Sequence, residues 1–249
     1  MRPPPRAAPA VDELYAALLQ AGESVPRLRG LLDAEVEETT MITLLRRAVP
    51  VRFLELLADA YPWSERPRVL AGIVLNRRAP RTLSLKLLPA LFWRDLADVA
   101  ANPHLSVAVR ARAEGLLQEM LPDMRMGEKI ALAKIATLPV LAQLLADPEP
   151  KVAGASLINP RLRETDLVMA LQSRTAPVAL LEAAAESPRW SQRYGVKLAL
   201  VLQARTPLGV ALSQLSSLLP RDLLRVGETE GLRPLVQAAA LRVAREGAP

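Results

Sequence analysis

The chain contains no cysteine. That excludes disulfides, thiolate-held zinc, iron–sulfur clusters and cysteine nucleophiles. Its single histidine is His104, so no metal site or Ser-His-Asp triad can draw on several histidines. His104 follows Pro103 and reads as an exposed turn residue. Aromatics make up only 3% of the chain, and 11 glycines stand against 22 prolines, so proline makes most of the turns. The longest apolar runs, such as 198–202, are far too short to cross a bilayer. The opening "MRPPPRAAPA" carries charge but no apolar core of a signal peptide. Residues 1–10 read as a disordered proline-rich tail, and the cytoplasm is the expected location. No glycine-rich phosphate loop, HExxH or GxSxG occurs, and no metal or cofactor is implied. The carboxylate pairs Glu37 with Glu38 and Asp95 with Asp98 lie where first helical turns favour negative charge. Neither is expected to have a raised pKa.

What is present favours helices. The chain has 249 residues, 51% of them apolar, and Leu, Ala, Val and Arg dominate. That length supports one or two domains. The net charge of +6 is unevenly spread. Residues 61–114 carry 9 basic and 4 acidic groups, as do residues 188–249, while the two flanking regions are each net −2. Positive charge in two blocks suggests two copies of something.

The copies can be aligned. "YPWSERPRVLAGIVLNRRAP" (61–80) matches "PRWSQRYGVKLALVLQARTP" (188–207) at a constant offset of 127 in the numbering. Trp63 pairs with Trp190, Arg66 with Arg193, Arg78 with Arg205 and Pro80 with Pro207. Without a gap, 48–114 and 175–241 are identical at more than a third of their positions, which marks an internal duplication. A shorter period lies inside it. Leu105 and Leu232 each follow one of these tryptophans at an interval of about 42 residues, a length typical of helical repeats. "KVAGASLINPRL" (151–162) echoes both copies. Three units of about 42 residues account for the offset.

Each unit parses into three short helices. In the last one, Thr206 is placed to cap a helix whose first residue is Pro207. Leu208, Ala211, Leu212, Leu215 and Leu218 follow at helical spacing, and Asp222 is placed to cap the next helix. Units fall near 38–79, 80–122, 123–161, 162–205 and 206–247, preceded by capping helices near 11–21 and 25–35. Helices this short cannot bury their own apolar faces, so stacked neighbours must supply the core. The expected fold is all-α: a right-handed α-solenoid over 11–249 of about five three-helix repeats with an N-terminal helical cap over 11–37.

The stretch "LADPEPKVAGASLINPRLRETDLVMAL" (145–171) resembles the leucine-rich repeat variant, through Asp147, Pro148, Val152, Asn159 and Pro160. Lys151 stands where that family favours arginine. The three-helix period also resembles HEAT and armadillo arrays. The resemblance implies an armadillo-type fold and an interaction role. Some proteins of the variant family hold an iron–sulfur cluster on N-terminal cysteines, which this chain lacks.

Trp63 and Trp190 are either aromatic anchors for a partner or wedges between repeats. Leucines in the same slot of neighbouring units favour packing. Trp93 differs, because its counterpart is Pro220 and the repeat does not demand it. Arginines recur in register, Arg47 with Arg174, Arg66 with Arg193, Arg78 with Arg205 and Arg94 with Arg221. Arg66, Arg78, Arg193 and Arg205 are the candidates to line up along a solenoid and suit phosphates or acidic peptides. Their structural alternative is local bonding, with Arg78 and Arg205 satisfying helix-end carbonyls. The expected function is a non-enzymatic scaffold binding a protein or peptide on the concave face. Nucleic-acid binding through the repeated arginines is the alternative. HEAT-like alkylpurine DNA glycosylases use Trp, Arg and Asp, which only Trp93, Arg94 and Asp95 resemble here. No membrane partner is expected, and the oligomeric state stays open.

Overall fold

A computed structural model describes residues 10–32 and 35–246. The predicted tail at 1–10 lies outside them apart from Ala10. The described residues form seventeen α-helices and no strand. They fall into two compact units, one ending at Met120 and the next beginning at Leu121.

The first unit holds α1 (Val11–Ala21), α2 (Val25–Leu32), α3 (Glu38–Leu45), α4 (Val51–Asp59), α5 (Pro67–Leu75), α6 (Arg81–Leu87), α7 (Trp93–Ala101) and α8 (Val107–Met120). α3 packs between α1 and α5, and α5 packs on α7. α2 packs on α4, and α6 on α8. Nearly all these helices are shorter than a stable isolated helix, so tertiary burial holds them. In α4, Phe53, Leu54 and Leu57 are fully buried on one face. α5 has neighbours on several sides, and Val69, Leu70, Ala71, Ile73 and Val74 are all buried. Prolines set the boundaries: Pro67 is the first residue of α5, and Pro50 and Pro80 precede α4 and α6.

The second unit holds α9 (Met126–Ile135), α10 (Leu138–Leu145), α11 (Pro150–Leu157), α12 (Glu164–Gln172), α13 (Val178–Glu186), α14 (Tyr194–Leu202), α15 (Leu208–Gln214), α16 (Pro220–Glu228) and α17 (Pro234–Glu246). The offset of 127 carries α4, α5, α6 and α7 onto α13, α14, α15 and α16 with identical bounds. Packing is repeated as well. α12 lies between α10 and α14, α14 on α16, α11 on α13, and α15 on α17. The duplication in sequence is therefore a duplication of tertiary units.

Two predicted caps take another form. α15 begins at Leu208 with Pro207 as its N-cap, and the buried Thr206 hydroxyl has no hydrogen-bond partner. α16 begins at Pro220, which puts Asp222 at its third residue rather than at the cap. In both cases proline starts the helix earlier or later than a polar cap would. The second leading helix is described over Val25–Leu32, and residues 33–34 of its predicted span lie outside the described residues.

Candidate anion-binding cleft

Trp63 and Trp190 are packing residues. Trp63 and Trp190 are both 3% exposed. Each indole N–H donates to the carbonyl of the last residue of a neighbouring helix: Trp63 Nε1 to Leu32 O at 3.4 Å, Trp190 Nε1 to Leu157 O at 2.8 Å. A buried indole donor finds a partner, and the ring fills the space between helix pairs.

A ladder of side-chain amides does similar work at the helix ends. Asn76 Nδ2 donates to Leu45 O at 2.7 Å and Arg47 O at 2.8 Å. Asn159 Nδ2 donates to Ala133 O and Ala136 O, and Gln203 Nε2 to Leu171 O and Ser173 O. These acceptors lie at helix C-termini, where carbonyls lack intrahelical donors. Each amide oxygen accepts the backbone N–H two residues on: Arg78, Arg161 and Arg205. The signal in the sequence is an amide residue two places before an arginine. Arg78 and Arg205 do not make the side-chain bonds to helix-end carbonyls that the structural alternative expected. Their backbone N–H groups serve the ladder, their guanidinium groups do not bond the helix-end carbonyls, and both side chains are exposed. Arg161 does bond such a carbonyl, Ile135 O at 2.8 Å.

Arg66 and Arg193 have diverged. Arg66 pairs with Glu38 at 3.0 Å and lies 5.2 Å from the Trp63 ring. In the second unit Arg189 covers Trp190 at 4.3 Å and bonds Asn159 O and Leu162 O. Arg193 is left exposed. Trp93 is partly buried with Arg94 6.0 Å from its ring.

None of the predicted site residues lines the cleft that other arginines form. Between α3, α5 and the start of α7 lies an open cleft of about 500 Å³. Four arginines line it: Arg46 and Arg47 after α3, Arg68 on α5 and Arg77 after α5. Asp95 on α7 is its one acidic lining residue, and Ile42, Leu45, Ala71 and Leu75 give it an apolar floor. Arg47 is clamped by Asp12 at 2.6 Å and lies over the Tyr15 ring at 5.1 Å. Arg46, Arg68 and Arg77 are exposed and make no ion pair among the described residues. Asn76 ties the carbonyls of Leu45 and Arg47, which fixes the turn that carries Arg46. Gly72 sits in the floor because a Cβ there would lie 2.8 Å from a Leu45 methyl and 3.3 Å from its Cβ. Reading by recurrence missed this cleft, because Arg46, Arg68 and Arg77 align with Ser173, Gly195 and Ala204. Only Arg47 recurs, as Arg174.

Asp95 departs from the expectation of an ordinary carboxylate. Burial first, and the neighbouring Asp98 second, push its pKa upward. Arg68, the Phe92 N–H and Arg94 pull it down without prevailing. Its counterpart Asp222 is plugged. Tyr194 Oη donates to the Asp222 carboxylate and accepts the Leu219 N–H at 3.2 Å. Burial and that bond to Asp222 raise the Tyr194 pKa. In the first unit Pro67 stands in place of Tyr194, and Asp95 stays open to the cleft. Of the cluster Trp93, Arg94 and Asp95, only Asp95 lines the cleft.

No family model matches the chain, and no curated protein or solved structure matches it. No helix among the described residues is long and apolar enough to cross a membrane.

Proposed function

We propose that the protein is a non-enzymatic interaction module of the α-solenoid type, five right-handed three-helix repeats with an N-terminal cap, and that it binds an acidic segment of a partner protein. The repetition of helix bounds at a fixed offset and the ladder of amides support the repeat reading. One observation carries the binding reading: four arginines converge on an apolar-floored cleft in the first unit, and three of them break the duplication. Packing alone requires a cationic side chain at none of these three positions, since the second unit folds alike with Ser, Gly and Ala. Guanidinium groups held at helix ends bind carboxylates through paired N–H donors. The aliphatic floor suits the side chains between acidic residues, and the volume suits a short peptide stretch.

The test is fluorescence anisotropy with a labelled peptide alternating glutamate and leucine. Saturable binding is expected. Replacing Arg46, Arg68 and Arg77 together by alanine should weaken it at least about tenfold, the loss of one or more charge-assisted bonds. Replacing Arg193 and Arg205, which do not line the cleft, should change it by less than about twofold. Absence of binding by the wild-type chain, or equal loss in both variants, overturns the reading.

A further inference from the structure

Guanidinium groups alone do not choose among anions. A phosphodiester chain and an acidic peptide both offer anionic oxygens to Arg46, Arg68 and Arg77. They differ in what lies between the anions. The sugar–phosphate backbone of DNA carries no hydrogen-bond donor, whereas a polypeptide carries an N–H at every residue other than proline. The cleft contains one group that registers this difference. Asp95 faces it among four arginines.

We infer that Asp95 is the specificity-determining residue of the cleft, accepting a backbone N–H of a bound acidic peptide and repelling phosphodiester chains. This rests on the peptide-binding reading above and adds the selection against nucleic acid. Among the described residues of the first unit no side chain occupies the Asp95 carboxylate, which lines the cleft with lone pairs open to a ligand. Asp222 shows the alternative, since the Tyr194 hydroxyl occupies its carboxylate from within the unit. Burial has already stripped part of the water from Asp95, so a ligand N–H replaces solvation that the fold has removed. A phosphate oxygen in the same place meets a like charge that water no longer screens fully. Arg68, on the facing helix, holds the peptide carboxylate while Asp95 takes the adjacent N–H. Direct pairing of Arg68 with Asp95 is not present, so neither group is consumed by the other.

The experiment compares two labelled probes of equal charge, the glutamate–leucine peptide and a single-stranded oligothymidylate, on wild-type and variant chains at one salt concentration. Wild type should favour the peptide by about tenfold or more. Asp95→Asn should weaken the peptide by about threefold and strengthen the oligonucleotide by about threefold or more, collapsing the ratio. Asp98→Asn removes a neighbouring charge that does not line the cleft, and should move both probes by the same factor. Asp95→Ser also removes the charge while keeping a small polar side chain, and replaces the asparagine variant if that one does not fold. A probe ratio for either Asp95 variant within about twofold of wild type overturns the inference while peptide binding stands. A wild-type preference for the oligonucleotide also overturns it. No peptide binding by wild type removes the peptide-binding reading and, with it, this one.

Discussion

The two units share a frame and differ in what the frame holds. α3, α5 and α7 correspond to α12, α14 and α16, and they pack in the same order. In the first unit the gap between them collects four arginines around an open Asp95. In the second, Tyr194 closes Asp222, and Ser173, Gly195 and Ala204 leave only Arg174 of the cationic set. Duplicated scaffolds reveal function by subtraction. Packing accounts for what both copies keep buried or bonded at helix ends, and not for a cation that only one copy carries. By that measure packing accounts for Trp63, Trp190 and the amide ladder, and does not account for Arg46, Arg68 and Arg77.

The largest expected effect tests the shared frame. Trp190→Ala should cost about 3–5 kcal/mol in urea unfolding, from cavity formation and an orphaned carbonyl. Trp63→Ala should cost somewhat less, because its indole bond is 3.4 Å rather than 2.8 Å. A cost below about 1 kcal/mol for either would remove it from the list of packing residues.

The ladder ranks next. Asn76→Ala and Asn159→Ala each strip two carbonyls of their donor and should cost about 2–3 kcal/mol. Gln203→Ala should cost about 1 kcal/mol, since one of its acceptors is exposed to water. Equal losses at all three positions would show that solvent does not discriminate among the rungs.

The cleft arginines should separate binding from stability. The triple alanine variant of Arg46, Arg68 and Arg77 should unfold within about 0.5 kcal/mol of wild type, as exposed side chains without ion pairs do. Thermal melting beside the anisotropy titration checks this. A large drop in melting temperature would return these arginines to the structural set.

The smallest effect concerns the two aspartates. Asp95 has a raised pKa in the fold, so its ionised form weighs against folding at neutral pH. That burden lifts as the pH falls through the raised value and is gone below the ordinary 3.8. Asp95→Asn should therefore melt slightly higher than wild type at pH 7 and match it in acid. Asp222→Asn should instead melt lower at pH 7, because Tyr194 loses a charged acceptor. Melting curves across pH decide it, and parallel behaviour of the two variants would contradict the open-versus-plugged distinction.

Much of the frame was legible from periodicity. The offset of 127 predicted which helices would correspond, and the tryptophan slot shared with Leu105 and Leu232 marked a packing position. The same method hid the cleft. Attention to recurrence selected Arg66, Arg78, Arg193 and Arg205, and these ended in an ion pair with Glu38, beside the amide ladder, or alone at the surface. The informative arginines were the ones that broke the pattern.

Sequence by itself determined the helical class, the duplication and the residues that pack it, because burial leaves a periodic trace in the chain. Tertiary structure alone decided which charges meet. Arg46, Arg68, Arg77 and Asp95 come from two helices and two turns spread over about 50 residues, and only stacking of α3, α5 and α7 brings them to one cleft. The same stacking decided that Arg78 lends the ladder its backbone N–H and keeps its guanidinium in water, a division that residue identity cannot express.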